Sequence, residues 1–367
     1  MPYVKIVKSR YNVFIMAKVV LVQVVYNHRR FIPKVYDAIF AQGFPDFHMV
    51  AVIAGSDDGS KEYIADHYRG VEIIDPGYNI GFAKGHNLVF EKYDSEFFQL
   101  VNPDLIMEPD YVEKMLTVFE DERVGAATGK LLRYDFDNNR PTKIIDSTGV
   151  VLFRSGRARD RGQHEVDSGQ YDAQTHVMGV SGAGCMYRRA ALEAAKMPRA
   201  RAAVIDAAAT TSVAATAAAE YFDEDFHSYW EDVDLSWRMQ SAGFVCRYVP
   251  GAIAYHGRGA GSSEHGYRHV GKFVKHHKQL SHHVRRRNYA NHIFMFVKNS
   301  PRWYWQFFVR ELMMFGYTLV FETATLATIP DLFKLLPSML RKRAYIKQHR
   351  HAPPEEMEKI FSPGVGI

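Results

Sequence analysis

Short apolar runs alternate with amphipathic segments along the first third of the chain. Residues 18–26 (KVVLVQVVY) form a continuous run rich in β-branched side chains, a pattern typical of a strand that is covered on both faces. Similar apolar runs recur at residues 49–54, 71–74 and 97–101. The segments between them have helical character at residues 33–42, 61–68 and 85–93. This alternation predicts an α/β domain with a Rossmann-like central sheet flanked by helices.

The pattern becomes less regular further along the chain. Residues 111–122 predict a helix, and residues 124–132, 177–188 and 244–249 predict strands. The polar stretch 154–174 predicts a mobile loop of the kind that often covers an active site, and the alanine-rich residues 199–219 predict an insertion. We therefore expect an N-terminal extension over residues 1–17, a main domain over 18–265 and a basic, amphipathic helical region over 266–367.

Residues 301–343 are rich in aromatic side chains, leucine and methionine, but their longest uncharged stretch, 312–321, is short. It is too short to cross the bilayer core of about 30 Å. Amphipathic helices in a membrane interface, with Trp303, Tyr304 and Trp305 as anchors, are one interpretation. Helices that pack against the main domain or a second subunit are the other.

Charge is segregated along the chain although the formal net charge is only +5. Residues 265–310 contain no Asp or Glu. Their many cations suit an anionic lipid surface, a polyphosphate carrier or nucleic acid, and a solvated helix face is the simpler alternative. Cys185 and Cys246 are the only cysteines, which argues against a disulfide scaffold and suits a reducing compartment such as the cytosol. We find no signal-peptide pattern.

Asn102-Pro103-Asp104 comes directly after the predicted strand 97–101. Open α/β sheets bind their ligands at the carboxyl ends of the strands. A carboxylate at this position can bind a divalent cation, and the cation can neutralise a diphosphate leaving group. The alternative is a Pro-Asp turn in which the aspartate caps a helix.

Three acidic residues, Glu231, Asp232 and Asp234, stand at the predicted start of a helix. Carboxylates so close together repel one another, which raises at least one pKa and favours a general base. Trp230 and Trp237 are spaced to pack on the core from one helical face. The alternative is that the acids only stabilise the positive end of the helix dipole.

Two further features suit ligand binding. Residues 78–87 (YNIGFAKGHN) place glycines and asparagines between a strand and a helix, which permits anion contact at a helix N-terminus. They lack the G-x-G-x-x-G spacing, which disfavours an NAD enzyme, and a structural loop with asparagine caps is the alternative. His256 follows the predicted strand 244–249 and is a candidate metal ligand, although a lone histidine is more often structural.

Together, and in this order, these motifs resemble the family 2 glycosyltransferases of GT-A fold, especially the rhamnosyltransferase-like branch that builds bacterial surface polysaccharides. The resemblance covers residues 18 to about 261 and continues more weakly through Arg287-Asn288 and Lys298-Asn299. It implies inverting transfer of rhamnose or another hexose from a dTDP- or UDP-sugar, with Mg²⁺ or Mn²⁺ as the cofactor. The implied acceptor is a glycan, free or linked to polyprenyl diphosphate, at the inner face of the cytoplasmic membrane. Nucleic acid is not an expected partner.

The resemblance also implies roles for individual residues. The donor side comprises Ser56, Asp57, Asp58, Asn79, Gly81, Phe82, Asn87, Asn102 and Asp104. The acceptor side comprises Gly182 and Ala183, on an expected strand, together with Trp230 and Asp234. Asp104 and His256 are the implied metal ligands, and Asp232 or Glu231 is the implied catalytic base. The sequence departs from the family pattern at Ile53-Ala54, where Asp-Asn is usual, and at Asn102, the first position of the D-x-D-like motif.

Two other functions are compatible with parts of this pattern. A nucleotidyltransferase also has a Rossmann-like sheet with metal-binding carboxylates, but no glycine-rich loop for a triphosphate follows the first strand, where Val25-Tyr26-Asn27-His28 stands. A catalytically idle, membrane-associated polysaccharide-binding protein would explain the two departures. The intact acidic residues and His256 argue against it.

Overall fold

The computed structural model describes residues 6–8, 13–15, 17–199, 219–257 and 281–363. Residues 200–218 of the predicted insertion and residues 258–280 of the predicted basic region lie outside the described residues. The strands of the described residues are β1 (Ile6–Lys8), β2 (Val13–Ile15), β3 (Val19–Val25), β4 (Phe47–Ile53), β5 (Val71–Ile74), β6 (Phe97–Leu100), β7 (Leu105–Met107), β8 (Val124–Asp135), β9 (Arg140–Ser147), β10 (Val150–Leu152), β11 (Ala158–Asp160), β12 (His176–Val177), β13 (Cys185–Arg188), β14 (Met197–Pro198), β15 (Ala219–Glu220) and β16 (Val245–His256).

The helices surround a ten-stranded sheet. They are α1 (Ile32–Phe40), α2 (Ser60–His67), α3 (Gly81–Lys92), α4 (Tyr111–Thr117), α5 (Arg189–Ala194), α6 (Glu231–Ser241), α7 (His282–Asn299), α8 (Trp305–Phe321), α9 (Ile329–Gln348) and α10 (Pro354–Lys359). Two 3-10 helices, Val118–Glu120 and Thr323–Thr328, follow α4 and precede α9. Among the described helices, none combines the length and the hydropathy that a membrane span requires.

Strands β3 to β6 form a parallel, Rossmann-like half of the sheet. β3 lies between β4 and β6, and β5 lies beyond β4. The direction of sheet growth therefore reverses between β3 and β6. Ligands of doubly wound sheets bind beyond the carboxyl ends of the strands at such a switch point.

The other half of the sheet is mixed. β13 lies antiparallel between β6 and β8, and β8 runs parallel to β16. β7 pairs antiparallel with the end of β16, so that Leu105 lies opposite His256. The short connection from β6 to β7 therefore brings Asn102 and Asp104 to the end of β16.

Apolar layers cover both faces of the sheet, because successive side chains of a strand point to opposite faces. Val19 and Leu21 of β3 pack with α1, α2 and α4 on one face. Val20 and Val22 pack with α3, α5 and α6 on the other. The prediction of an α/β domain with a sheet covered on both faces is confirmed.

Helices α7 to α10 pack on the α/β part through a third apolar cluster, which contains Trp237 of α6 and Phe296 of α7. Phe307 of α8 stacks on Phe296, with ring centroids 4.0 Å apart. A buried ion pair of 2.8 Å joins Lys298 of α7 to Asp234 of α6. Buried charges are tolerated when they are paired, so these contacts fix the C-terminal helices to the domain.

Two local predictions are wrong. Residues 177–188 do not form one strand, because β12 ends at Val177 and β13 begins at Cys185. Gly179 and Gly182 lie in the intervening turn, where a Cβ would meet α6 at 2.9 Å and 3.3 Å respectively. The polar stretch 154–174 contains β11. Its Arg161 bonds to the rest of the domain, since Arg161 Nε donates to Thr148 Oγ1 at 3.0 Å. It is therefore an ordered part of the fold.

Candidate active site

A turn at residues 226–230 sets the orientation of the acidic pair at the start of α6. Its residues His227, Tyr229 and Trp230 have φ angles of +60°, +73° and +74°. Such backbone costs about 1–3 kcal/mol per residue and persists where its surroundings hold it. Asn291 of α7 holds this turn: its Nδ2 donates to three carbonyl oxygens at 2.9–3.0 Å, those of Phe226, Ser228 and Tyr229. Helix α7 is therefore part of the scaffold of the site.

Asp232 is held in place by backbone donors. Its Oδ2 accepts from the N–H of Gly182, and its Oδ1 accepts from the N–H of Val233, both at 2.8 Å. Burial raises the pKa of Asp232 to about 6, and the nearby Asp160 carboxylate contributes to the rise. A carboxyl group with this pKa is mostly ionised at neutral pH and still basic enough to accept a proton.

Glu231 is more deeply buried than its neighbour, with 6% of its surface exposed. Its Oε2 is buried and has no hydrogen-bond partner among the described residues. Burial and the adjacent Asp232 carboxylate raise the pKa of Glu231 well above its usual range. Two neighbouring buried carboxyl groups do not readily carry two charges. Burial and the neighbouring charge therefore favour the protonated form of Glu231 more strongly than that of Asp232.

Asp104 and His256 meet at the carboxyl edge of the sheet. His256 Nε2 lies 3.1 Å from Asp104 Oδ1 and 3.4 Å from Asn102 Nδ2. Its Nδ1 lies 2.8 Å from Asp146 Oδ2, on a carboxylate that is fully buried at the end of β9. The structure thus brings the two expected metal ligands together and adds a second acidic residue, Asp146, behind the histidine.

This arrangement fits a divalent cation that takes its remaining ligands from a diphosphate. Two ligands at right angles around a cation with bonds of about 2.1 Å are about 3 Å apart, which agrees with the 3.1 Å between Asp104 Oδ1 and His256 Nε2. A metal-binding histidine commonly donates its other N–H to a carboxylate, and Asp146 occupies that position. Within the described ranges, no three His, Cys, Asp or Glu side chains form a complete metal site by themselves.

The protonation of His256 bears on that fit. Burial disfavours its charged form, but the carboxylates of Asp104 and Asp146 outweigh burial and raise the pKa of His256 to about 10. The same pairing with His256 lowers the pKa of Asp104 against the effect of burial. A cation would have to displace the imidazolium proton. Direct contact of the charged histidine with a diphosphate needs no such loss.

The turn at residues 181–184 connects the two acidic groups. Its Gly182 N–H binds Asp232, and the carbonyl oxygen of the next residue, Ala183, accepts from the N–H of Asn102 at 2.8 Å. Gly182 also lies against Phe82 of α3, since a Cβ at this glycine would be 3.5 Å from the Phe82 ring. Because consecutive residues contact both motifs, Asp104 and Asp232 belong to one site. The turn replaces the strand that we expected at Gly182-Ala183.

Loops at the ends of β3, β4 and β5 form the neighbouring rim. Ser56 Oγ accepts from the N–H of Asn27 at 3.1 Å. Gly55 has a φ of +73°, and a Cβ there would be 2.6 Å from the backbone nitrogen of Asn79. Asn79 Oδ1 in turn accepts from the N–H of Gly81 at 3.0 Å, at the start of α3. The expected donor-side residues in these loops thus lie together at the switch point.

The two aspartates of the β4 loop have different surroundings. Asp58 accepts from two backbone N–H groups and from Ser60 Oγ, and these bonds lower the pKa of Asp58 although its partial burial acts the other way. Asp57 is exposed at the rim. Ile53 and Ala54, at the usual Asp-Asn positions, are almost completely buried. They offer no polar side chain to a nucleotide base.

Two residues expected at the site stabilise the fold instead. The Asn87 side chain bonds both backbone groups of Phe222 at 2.9 Å, and it is buried. Its amide is therefore bonded within the fold, and its place on the donor side stays a prediction. Asp234 is fully buried and accepts from Arg238 Nε at 3.0 Å and Asn299 Nδ2 at 2.6 Å. Its carboxylate points to α7, away from an acceptor.

Sequence reasoning missed Asp146, Asp160 and Asn291. The sequence signal for Asp146 was its position at the end of an apolar strand segment. Asn291 lies one helical turn after Asn288, and Asn288 Oδ1 accepts from Trp230 Nε1 at 3.0 Å. Trp230, expected on the acceptor side, is therefore oriented towards α7. The signal for α7 was a pair of asparagines spaced three apart on one helical face.

The sheet order and the acidic site at its carboxyl edge define the class of protein: the chain has the GT-A fold of glycosyltransferases. A model of glycosyl transferase family 2 matches residues 21–195, and these residues form a domain of that family. The matched segment includes Asp104 and Gly182. Glu231, Asp232 and His256 follow it in the chain.

Comparison with known proteins gives distant relatives. Rhamnosyltransferase WbbL of Escherichia coli is 23% identical over 250 residues, 65% of this chain and 83% of the relative. Teichoic acid poly(glycerol phosphate) polymerase of Staphylococcus epidermidis is 29% identical over 146 residues, and the match spans only 20% of the polymerase. The crystal structure of GalNAc-T7 with UDP, GalNAc and Mn²⁺ has a TM-score of 0.51 at 9% identity, covering 80% of this chain and 50% of that one. This last likeness concerns the fold alone.

Proposed function

We propose that this chain is an inverting glycosyltransferase that moves a sugar from a nucleotide diphosphate to an acceptor hydroxyl. The observation that carries the proposal is the turn 181–184, through which Asp232 faces the same site as Asp104. One side of that site suits a diphosphate, and the other holds a carboxylate with a raised pKa. Transfer to a hydroxyl needs both, because the leaving group gains negative charge while the nucleophile loses a proton.

In the proposed reaction, Asp232 accepts the proton of the acceptor hydroxyl as its oxygen attacks the anomeric carbon. The new C–O bond forms on the face opposite to the nucleotide diphosphate, and the bond from the anomeric carbon to the diphosphate oxygen breaks with its electron pair. The anomeric configuration inverts. The N–H groups of Gly182 and Val233 keep the Asp232 carboxylate oriented, and protonated Glu231 leaves the charge of the pair on Asp232.

On the diphosphate side, we propose that Asp104 and His256 hold Mg²⁺ or Mn²⁺, with the Asn102 amide beside them. A bound cation would neutralise the charge that develops on the leaving diphosphate. Asp146 fixes the imidazole ring of His256 from behind. Asp57 and Asn79 at the loop rim are proposed donor contacts, as are Ser56 and Gly81.

The proposed donor is a dTDP- or UDP-sugar, with rhamnose or another hexose as the transferred group. The likeness to the Escherichia coli rhamnosyltransferase supports rhamnose. The proposed acceptor is a glycan, free or linked to polyprenyl diphosphate, in the synthesis of bacterial surface polysaccharide. A lipid-linked acceptor would bring the protein to the inner face of the cytoplasmic membrane as a peripheral protein.

A panel of nucleotide-sugars tests the proposal, because release of nucleotide diphosphate by slow donor hydrolysis requires no known acceptor. We expect one donor class to be hydrolysed in the presence of Mn²⁺, and chelation of the cation to lower the rate. Asp232→Asn should lower turnover about 100-fold or more, since it removes the general base. Asp137→Asn, at an exposed residue, is the matched control.

Turnover of Asp232→Asn at the wild-type rate would contradict the assignment of the base. Calorimetry that detects no binding of any nucleotide-sugar or of Mn²⁺ would support the idle polysaccharide-binding protein instead.

A further inference from the structure

Helix α8 presents an apolar face to solvent. Nine of its residues are exposed, and all nine are apolar. Leu312 and Val320 are the most open, at 72% and 70% exposure, and Trp305 and Phe308 continue the face towards the start of the helix. A helix of 17 residues is about 25 Å long, so the exposed face is a long continuous stripe. A continuous apolar surface of this kind that faces solvent marks an interaction site.

The polar side chains of α8 face inward, which is the reverse of the usual surface helix. Glu311 lies 2.9 Å from His292 of α7 and 2.6 Å from Arg310, and Arg310 is itself buried. Thr318 is buried and bonds the carbonyl of Met314 at 2.8 Å. The helix thus directs its polar groups to the protein and its apolar groups outward, an arrangement suited to an apolar surrounding.

Cations and tryptophans accompany this face. Arg302 and Trp303 are exposed directly before α8. The guanidinium of Arg343 on α9 lies 4.7 Å from the Trp303 ring centroid, so this part of α9 lies beside the start of α8. Leu340, about one turn before Arg343, and its neighbour Arg341 are also exposed on α9. The only acid of α8, Glu311, faces inward, so the exposed surface of the helix carries no negative charge.

We propose that the outer face of α8 docks onto an anionic lipid bilayer, with the helix lying in the plane of the headgroups. Its apolar side chains would enter the acyl boundary, and Arg302, whose side chain is 61% exposed although its Nε lies 2.6 Å from Glu358 Oε1, would contact lipid phosphates. The inner side of α8 is fixed to the domain through Phe307, so only the outer face is available. This docking rests on the proposed function only for its purpose, which is to bring a lipid-linked acceptor to the site.

A bilayer suits this face better than a second protein copy. Protein interfaces carry about one hydrogen bond per 100–200 Å², and the exposed side chains of α8 offer no donor or acceptor apart from the indole N–H of Trp305. Tryptophans next to cations at one end of an apolar stripe are typical of the membrane boundary. The acid-free sequence of residues 265–310 adds attraction to an anionic surface.

Vesicle flotation of the full chain tests this docking. The probes are vesicles of phosphatidylcholine alone and of phosphatidylcholine mixed with phosphatidylglycerol, without any donor present. The double variant Leu312→Glu/Val320→Glu charges the apolar face, and Val166→Glu charges an exposed apolar residue elsewhere as the matched control. All variants should keep the wild-type unfolding midpoint, because the substituted side chains are exposed.

We expect the wild type and Val166→Glu to float with the anionic vesicles and to bind neutral vesicles more weakly. The double variant should lose binding about 100-fold or more, because it replaces two apolar anchors by negative charges. Wild-type protein that stays unbound, or a double variant that binds equally well, would overturn the proposal. A concentration-dependent dimer that the double variant dissociates, without vesicle binding, would assign the face to a second copy. Nucleotide release from soluble donor is measured separately, so failure of docking and failure of the proposed function are distinguishable.

Discussion

Replacement of Asn291 by alanine tests whether α7 orients the acidic pair. The Asn291 side chain is 2% exposed, and its Nδ2 serves three carbonyl oxygens of the turn before α6. An NH₂ group has two hydrogens, so we count two full hydrogen bonds in this shared set. A buried carbonyl left without a partner costs about 1–3 kcal/mol. We therefore expect Asn291→Ala to lower the free energy of unfolding by about 2–6 kcal/mol.

The same substitution should affect catalysis through position. Without Asn291, the turn loses the contacts that hold the positive φ angles of Tyr229 and Trp230. Relaxation of this turn would move Glu231 and Asp232, which follow it directly. A displacement of about 1 Å in a catalytic group can lower the rate about 100-fold. Asp104 and His256 are on other elements, so the KM for the donor should change less than kcat.

Urea unfolding and nucleotide release at saturating donor measure the two effects. The matched control is Asn288→Ala on the same helix, which removes one bond to Trp230 and one to the Val284 carbonyl within α7 and should cost about 1 kcal/mol. An unfolding free energy of Asn291→Ala equal to that of the control, together with wild-type kcat, would refute the role assigned to α7. A drop in stability with an unchanged kcat would leave Asn291 as a purely structural residue.

Three further predictions follow from the geometry. Turnover at saturating donor should rise with pH through about 6 and then level off, because only the ionised form of Asp232, whose pKa is raised to about 6, accepts a proton. A flat rate profile between about pH 5 and 8 would contradict this assignment. Gly81→Ala should lower the free energy of unfolding by about 1–3 kcal/mol more than Gly77→Ala does, because both glycines have φ near +80° but only a Cβ at Gly81 would lie 2.5 Å from the His227 ring. Equal losses in urea unfolding would exclude this clash. Lys342→Met should destabilise the protein by about 3–5 kcal/mol, because it leaves the buried carboxylates of Glu220 and Asp223 without this partner. Lys347→Met, at an exposed position, should change stability little, and similar denaturant midpoints for the two variants would contradict the reasoning.

The first half of the fold could be predicted because its signals are local. The runs that became β3, β4, β5 and β6 are apolar over a strand length, and the predicted helices between them are present. Helix α3 begins four residues before its predicted start, at Gly81 with a φ of +76°. The strand predicted over residues 177–188 failed because Gly179 and Gly182 allow a close approach to α6. The amino-acid composition of this segment does not show that it will contact α6.

The sequence by itself determined the order of the motifs and the resemblance to family 2 glycosyltransferases. It left open which acid of the 231–232 pair is the base and whether helix α8 packs on the domain or lies in a membrane. The tertiary structure buries Glu231, gives Asp232 two backbone donors, and packs the inner side of α8 while its apolar side remains exposed. It also placed Asp146 behind His256, 110 residues away in the chain. Burial and hydrogen bonding between distant residues produce these arrangements, and neither is written in the spacing of neighbours along the chain.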